Sequence, residues 1–103
     1  MEMLRDGPFY RDEQLFVDLR QQVVILDGEI VRLTRMEYRL LAVLVEHAGE
    51  IVPRTVILTE LWGREIRTRR LDMHVSGLRR KLASYDDQCI ETVVRVGYRF
   101  RPG

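Results

Sequence analysis

The spacing of apolar residues changes along this chain, and it predicts strands first and helices afterwards. Three short runs rich in β-branched and aromatic residues come early: LFVDL (15–19), QVVIL (22–26) and EIVRL (29–33). Asp27-Gly28 separates the last two and favours a type I′ turn, which needs a positive φ at both central residues. With an edge strand at Pro8 to Tyr10, after a loose leader (1–7), the pattern predicts an N-terminal antiparallel sheet.

Two helices are predicted after this sheet. Thr34-Arg35-Met36-Glu37 has the spacing of a capping box, so Thr34 is expected to open the first helix and Gly49 to end it. The expected core stripe of this helix is Tyr38, Leu41, Leu44, Val45 and Ala48. A short link, Ile51 to Pro53, leads to a second helix, Arg54 to Trp62, which Gly63 ends. The expected apolar side of this second helix is Ile57, Leu58 and Leu61.

A third helix is predicted from Thr68, as its N-cap, to Leu82. Its apolar residues recur at steps of four, three and four, the period of a helix face that packs on a core: Leu71, Val75, Leu78 and Leu82. The opposite side is expected to hold Arg69, Met73, Ser76, Gly77 and Arg80, flanked by Arg79 and Lys81. Only residues 64–67 separate helices two and three, which indicates a helix-turn-helix.

The C-terminal residues predict a β-hairpin beside the third helix. Ile90 to Val94 and Tyr98 to Arg101 are rich in β-formers, and Arg95-Val96-Gly97 supplies a glycine for the turn between them. A sheet, three helices and a terminal hairpin, in that order, make an α+β winged helix-turn-helix. Because 103 residues form one core, the whole chain, 1–103, is predicted to be a single domain.

Charge is concentrated in one segment. Residues 64–81 hold seven basic and two acidic residues, a formal charge of +5, whereas residues 1–63 hold seven basic and eleven acidic ones. The modest total of +1 therefore hides a basic face, which points to a polyanionic partner such as DNA. A solvated surface helix would explain the helix pattern taken alone.

Other function classes find little support. The sequence has no glycine-rich phosphate loop, no Cys or Ser paired with a His, and no second metal ligand at helical spacing from His74, so neither enzyme, cofactor nor metal is predicted. The lone Cys89 is interpreted as a small core residue. No signal peptide or membrane span is apparent, so a cytoplasmic location without membrane contact is expected.

Four ordered blocks resemble the OmpR/PhoB-type effector domain of bacterial two-component response regulators. They are LTRMEYRLL (33–41), LWG (61–63), RLDMHV with LRRKL (70–75 and 78–82), and TV with GYRF (92–93 and 97–100). The resemblance implies a transcription regulator whose third helix enters the major groove and whose hairpin is the wing. It also implies head-to-tail binding to tandem direct repeats, with RNA polymerase touching the loop between helices two and three. The receiver domain of such regulators is not expected within 103 residues.

The resemblance also implies roles for individual residues. Phosphate contacts would come from Arg69, Arg70, His74 and Arg79, base contacts from Met73 and Gly77, and further DNA backbone contacts from Trp62 and Tyr98. Ser76 and Gly77 stand where the family often has long basic side chains, which weakens direct base readout. Arg95 stands where the family usually has glycine, and it is expected to reach the minor groove.

Two alternatives remain open at this point. Trp62 fits a purely core role as well as a DNA contact. The whole module also fits a winged helix that acts mainly through protein–protein contact, with RNA polymerase or a partner regulator. Salt dependence separates these functions, because binding through several phosphates weakens steeply with ionic strength. No exposed apolar stripe is expected, so a monomer in solution that pairs on DNA is predicted.

Overall fold

The computed structural model describes residues 9–64, 68–86 and 88–102, and it contains two small sheets around three helices. The predicted leader (1–7) and the middle of the loop between helices two and three (65–67) lie outside the described residues. The elements in chain order are β1 (Phe9–Arg11), β2 (Leu15–Asp18), β3 (Val23–Leu26), β4 (Glu29–Ile30), α1 (Arg35–Glu46), β5 (Ile51–Pro53), α2 (Arg54–Trp62), α3 (Arg70–Lys81), β6 (Ile90–Val93) and β7 (Gly97–Phe100).

The N-terminal sheet is antiparallel, in the order β1-β2-β3-β4, as predicted. Asp27 (φ 52°) and Gly28 (φ 81°) both take the left-handed conformation that the type I′ turn requires. Alternate residues of β2 and β3 face the core and are buried: Leu15, Val17, Val24 and Leu26. The strand predicted over 29–33 is shorter than expected, because only Glu29–Ile30 pair with β3.

Helix α1 begins as predicted. The Thr34 hydroxyl accepts from the Glu37 amide (3.2 Å), and the Glu37 carboxylate accepts from the Thr34 amide (2.9 Å), which completes the capping box. The predicted core stripe is buried except for Tyr38, which is half-buried, whereas the unassigned Leu40 is fully buried. The stripe is therefore wider than the sequence pattern indicated.

Helix α2 has the predicted bounds and the predicted buried side, but its entry is different. The link predicted at Ile51 to Pro53 is wrong, because these residues form β5 and pair with β7 to make a three-stranded sheet, β5-β7-β6. Gly97 is not in the wing turn but in β7. A Cβ at residue 97 would overlap the Val52 carbonyl oxygen and lie 2.8 Å from the Arg54 amide nitrogen. The turn instead places Arg95 at φ 67°.

Helix α3 is shorter than predicted and buries the expected face of Leu71, Val75, Leu78 and Leu82. Thr68 is not its N-cap, since the helix begins at Arg70 after Arg69, whose side chain makes no capping bond. The Thr68 hydroxyl instead accepts from the Arg70 amide at 3.0 Å. Thr68 thus stabilises the turn that leads into α3, one residue before the position of the N-cap.

The core lies where the three helices meet the two sheets, with α1 packed against both α2 and α3. Phe100 lies at the centre of an aromatic cluster that links the N-terminal sheet to the C-terminal part of the chain. The rings of Tyr10 and Phe100 form a T-shaped pair, and the ring of Tyr85 stacks on that of Phe100. Both tyrosine hydroxyls donate to Asp12.

Cys89 is fully buried, as interpreted from the sequence. None of the helices in the described part of the chain is long and apolar enough to cross a membrane.

A buried carboxylate joins α1 to α3. The Glu37 side chain accepts from Lys81 Nζ at 2.6 Å in addition to the Thr34 amide. Burial would raise the pKa of Glu37, but the hydrogen bonds from Lys81 and Thr34 outweigh burial and lower that pKa below its usual value. Gly77 faces this carboxylate: a Cβ at residue 77 would overlap Oε2 and lie 3.3 Å from Cδ. Gly77 is buried against α1, so its expected position on the outer side is wrong.

We expect Gly77→Ala to destabilise the domain. Alanine is normally favoured over glycine within a helix by about 1 kcal/mol, but here the added methyl group overlaps a carboxylate that two hydrogen bonds hold in place. Overpacking costs about 1 to 3 kcal/mol, so a net loss of roughly 1 kcal/mol is expected in denaturant unfolding. Ser76→Ala, at the exposed neighbouring position, is the control. A gain in stability for Gly77→Ala would show that Glu37 moves away freely.

Candidate nucleic-acid interface

One exposed stripe runs along α3. Its four residues, all exposed, recur at steps of four, three and four, directly opposite the buried leucine face: Arg69, Met73, Ser76 and Arg80. An arginine stands at each end of the stripe, with a large apolar and a small polar side chain between them. The structure thus brings together four of the predicted site residues on one continuous surface.

A groove lies beside this stripe, between α3 and the first turn of α1. Arg35 and Met36 line it on the α1 side, and Arg69, Met73 and Arg80 line it on the α3 side. Sequence reasoning missed Arg35 and Met36 as site residues. The capping box placed them in the first turn of α1, but the approach of that turn to α3 depends on tertiary packing, which leaves no local signal.

Trp62 and His74 form the border of the interface on the α2 side. The two half-buried rings lie 6.0 Å apart between centroids and are tilted by 35°. Trp62 packs against the core and also lines an open hollow with Met36, Met73 and Arg70. Its packing against the core is thus confirmed, and its DNA contact stays a prediction. Arg70 is exposed beside these rings.

Tyr98 is not placed for the contact that the resemblance implied. It is 7% exposed, and its hydroxyl donates to Asp72 Oδ1 at 2.8 Å. Asp72 also accepts from Arg54 Nη1 at 3.2 Å, so three elements, β7, α2 and α3, meet at this carboxylate. The Tyr98 hydrogen bond, with help from Arg54, lowers the pKa of Asp72 despite its partial burial. Tyr98 therefore orients α3 through Asp72, and no local pattern in the sequence indicates that its side chain is buried.

Arg79 connects α3 to the wing. Its Nε and Nη2 donate to the Ile90 carbonyl oxygen at 3.0 and 2.7 Å, and Nη2 also donates to the Thr92 hydroxyl at 2.8 Å. Ile90 and Thr92 belong to β6, so the planar guanidinium fixes the angle between the helix and the hairpin. The phosphate contact implied for Arg79 stays a prediction, but two of its three nitrogens already bind protein.

The wing turn presents further exposed groups. Arg95 is exposed at the tip of the hairpin, between the exposed apolar residues Val94 and Val96. Among the described residues, no group of three His, Cys, Asp or Glu side chains is arranged to hold a metal ion. A basic helix face, a groove beside it and an exposed arginine on the wing together form the candidate binding surface.

Comparison with known proteins identifies relatives with the same architecture. Residues 28–100 match the protein family described as "Transcriptional regulatory protein, C terminal". The response regulator ArlR of Staphylococcus saprophyticus is 39% identical over 90 residues, which make up 84% of this chain and 41% of ArlR. The chain thus spans about two-fifths of the length of the curated relatives it matches.

Two solved structures are similar over nearly the whole domain. The DNA-binding domain of Klebsiella pneumoniae RstA, in complex with RstA box, has a TM-score of 0.82 and 32% identity, over 92% of this chain and 98% of that one. The DNA-binding domain of CpxR from E. coli has a TM-score of 0.84 and 30% identity, over 93% and 98%. The winged-helix fold predicted from the sequence is confirmed by both likenesses.

We expect Arg79→Lys to loosen the wing while keeping the charge. A lysine ammonium cannot reproduce the fork that bonds Ile90 and Thr92, and hydrogen bonds from charged groups contribute about 1.5 to 3 kcal/mol. A loss of about 1 to 2 kcal/mol in unfolding free energy is expected, with faster amide hydrogen exchange in β6. Arg80→Lys, one position along and exposed, should change neither. Equal stability and equal exchange rates in the two variants would show that the hydrogen bonds from Arg79 do not hold the wing.

Proposed function

The chain belongs to the family of C-terminal domains of transcriptional regulatory proteins, and we propose from this membership that it regulates transcription by binding double-stranded DNA. The observation that carries the proposal is the stripe of Arg69, Met73, Ser76 and Arg80, exposed on a helix whose other face is buried in the core. A helix held in this way fits the major groove, where base edges are accessible and phosphates line both rims.

Phosphates supply most of the affinity in this proposal. Arg69, Arg70 and Arg80 are exposed along α3, and Arg35 faces them across the groove. Each arginine that neutralises a phosphate releases condensed counterions, which favours binding at low salt regardless of sequence. His74, half-buried beside Trp62, offers a ring N–H at the same border. The relative RstA, whose DNA-binding domain was solved in complex with RstA box, supports this class of partner.

The one carboxylate in the first turn of α3 is compatible with this role. A free Asp72 would repel phosphates, but it is paired with Arg54 and accepts a hydrogen bond from the Tyr98 hydroxyl. The pairing compensates its charge and leaves the neighbouring arginines to act on DNA. The exposed Arg95 is proposed to reach the minor groove or a phosphate from the wing.

We place the domain in a response regulator of a two-component system, acting in the cytoplasm as a DNA-binding effector rather than an enzyme. The relative ArlR is a response regulator, and this chain corresponds to less than half of it. Contact with RNA polymerase, which the resemblance implies for the connection between helices two and three, is part of the same proposal. A second role in protein–protein contact is favoured by the exposed apolar side chains of Val94 and Val96 on the wing.

The salt dependence of DNA binding tests the proposal directly. Fluorescence anisotropy with a labelled random-sequence duplex should give an affinity that falls linearly, on logarithmic axes, with salt concentration. Arg80→Ala should weaken binding and reduce the slope by about one. Arg20→Ala, an exposed arginine in the turn after β2, is the control and should leave the slope unchanged. Absence of binding at low salt would favour the protein-contact function instead.

The arrangement of two copies on DNA gives a second test. We propose that the domain is monomeric in solution and pairs head to tail on direct repeats about 10 to 10.5 base pairs apart, so that both α3 helices meet the same face of the duplex. Inserting five base pairs should abolish cooperative binding in a mobility-shift titration, whereas inserting ten should restore part of it. Sedimentation of a stable dimer without DNA would contradict the monomeric state.

A further inference from the structure

We propose that Met73 reads thymine through its C5-methyl group and makes the domain prefer T at the centre of the contacted site. This inference deepens the proposed function and rests on it. Met73 is 69% exposed in the middle of a helix face whose other members are polar. A partner that meets this face therefore meets one large apolar side chain, which contact with phosphates alone does not use.

The position of Met73 separates it from the charged groups. Arg69 and Arg80 are eleven residues apart, about 16 Å along the helix, which corresponds to roughly five base pairs at about 3.4 Å each. They stand at the two ends of this span, where the phosphate rims or outer base pairs lie. Met73 and Ser76 occupy the interval, so the central base pairs meet one apolar and one small side chain.

The surroundings of Met73 leave room for an inserted group. The groove on its α1 side and the hollow on its α2 side are both bordered by Met36 and Met73. Gly77, on the groove side, carries no side chain and is held against Glu37. Arg35, Arg69 and Arg80 border the same groove, and Met36 and Met73 are its two large apolar side chains, against which a small apolar group can pack.

The chemistry of the major groove then selects the base. Thymine is the only standard base that presents a methyl group there, whereas cytosine, adenine and guanine present donors or acceptors. A thioether side chain with three rotatable bonds adapts its shape to such a group. Without an arginine at position 76 or 77, no bidentate contact competes for guanine at the centre. Met73, supported by Met36, is therefore assigned as a specificity-determining residue for T.

Removal of single methyl groups from the DNA tests this assignment. The wild-type domain is first used to select its preferred duplex from a randomised library at low salt. Each thymine of the selected site is then replaced, one at a time, by deoxyuridine, which removes only the methyl group, and affinity is measured by anisotropy. At one or two central positions we expect about a fourfold loss, the value for burial of one methyl group.

The same series is repeated with two variants. In Met73→Ala the loss on replacing thymine by deoxyuridine should disappear. In Ile30→Ala, a control at a similarly exposed apolar residue of the N-terminal sheet, the fourfold loss should remain. Melting temperatures of both variants establish that the fold is intact, and the wild-type series alone is informative even if Met73→Ala does not fold.

The outcomes separate this inference from the proposed function. Failure of the wild-type domain to bind any duplex at low salt would overturn DNA binding itself. Binding with no sensitivity to any thymine methyl group, or selection of a site without central thymines, would overturn only the thymine assignment. Sensitivity that persists in Met73→Ala would likewise overturn Met73 as the reader.

Discussion

The buried ion pair between Glu37 and Lys81 is the contact on which the orientation of α3 depends. One carboxylate caps α1 through the Thr34 amide and binds Lys81 of α3. A buried charge that loses its partner costs several kcal/mol, so α1 and α3 cannot separate without exposing or orphaning Glu37. Close approach is allowed because Gly77 faces the carboxylate without a side chain. The same carboxylate therefore caps α1 at its N-terminus and positions α3 against α1.

The opposite flank of α3 is held by two further polar contacts. Asp72 binds Tyr98 and Arg54, and Arg79 binds the backbone of β6, so the sheet that carries the wing is tied to the helix at both ends. The outer stripe takes no part in these contacts. A surface whose supporting groups are already bonded loses little conformational freedom on binding, which favours affinity and a defined register on a partner.

Local signals in the sequence were sufficient for most of the fold. The Asp27-Gly28 turn, the capping box at Thr34 and the bounds of α2 each depend on residues within a few positions, and all are confirmed. The errors involve partners far apart in sequence. Strand β5 exists because β7 pairs with it, and Gly97 is a glycine because the backbone of Val52 lies against it rather than because a turn requires it. Neither contact is visible in short-range periodicity.

In the candidate interface, too, the features that depend on local sequence were predicted and those that depend on distant contacts were not. Helical periodicity separates the inner from the outer face of α3, and it placed Arg69, Met73, Ser76 and Arg80 together, but it also put the buried Gly77 among them. It says little about the two lateral sides, where a residue faces a neighbouring element or solvent according to how the helix is packed. Gly77 and Arg79 occupy those sides, and both face protein. The basic residues of the segment 64–81 consequently have two different roles. Lys81 and Arg79 hold α3 against α1 and β6, and the remaining described arginines of the segment are available to a partner.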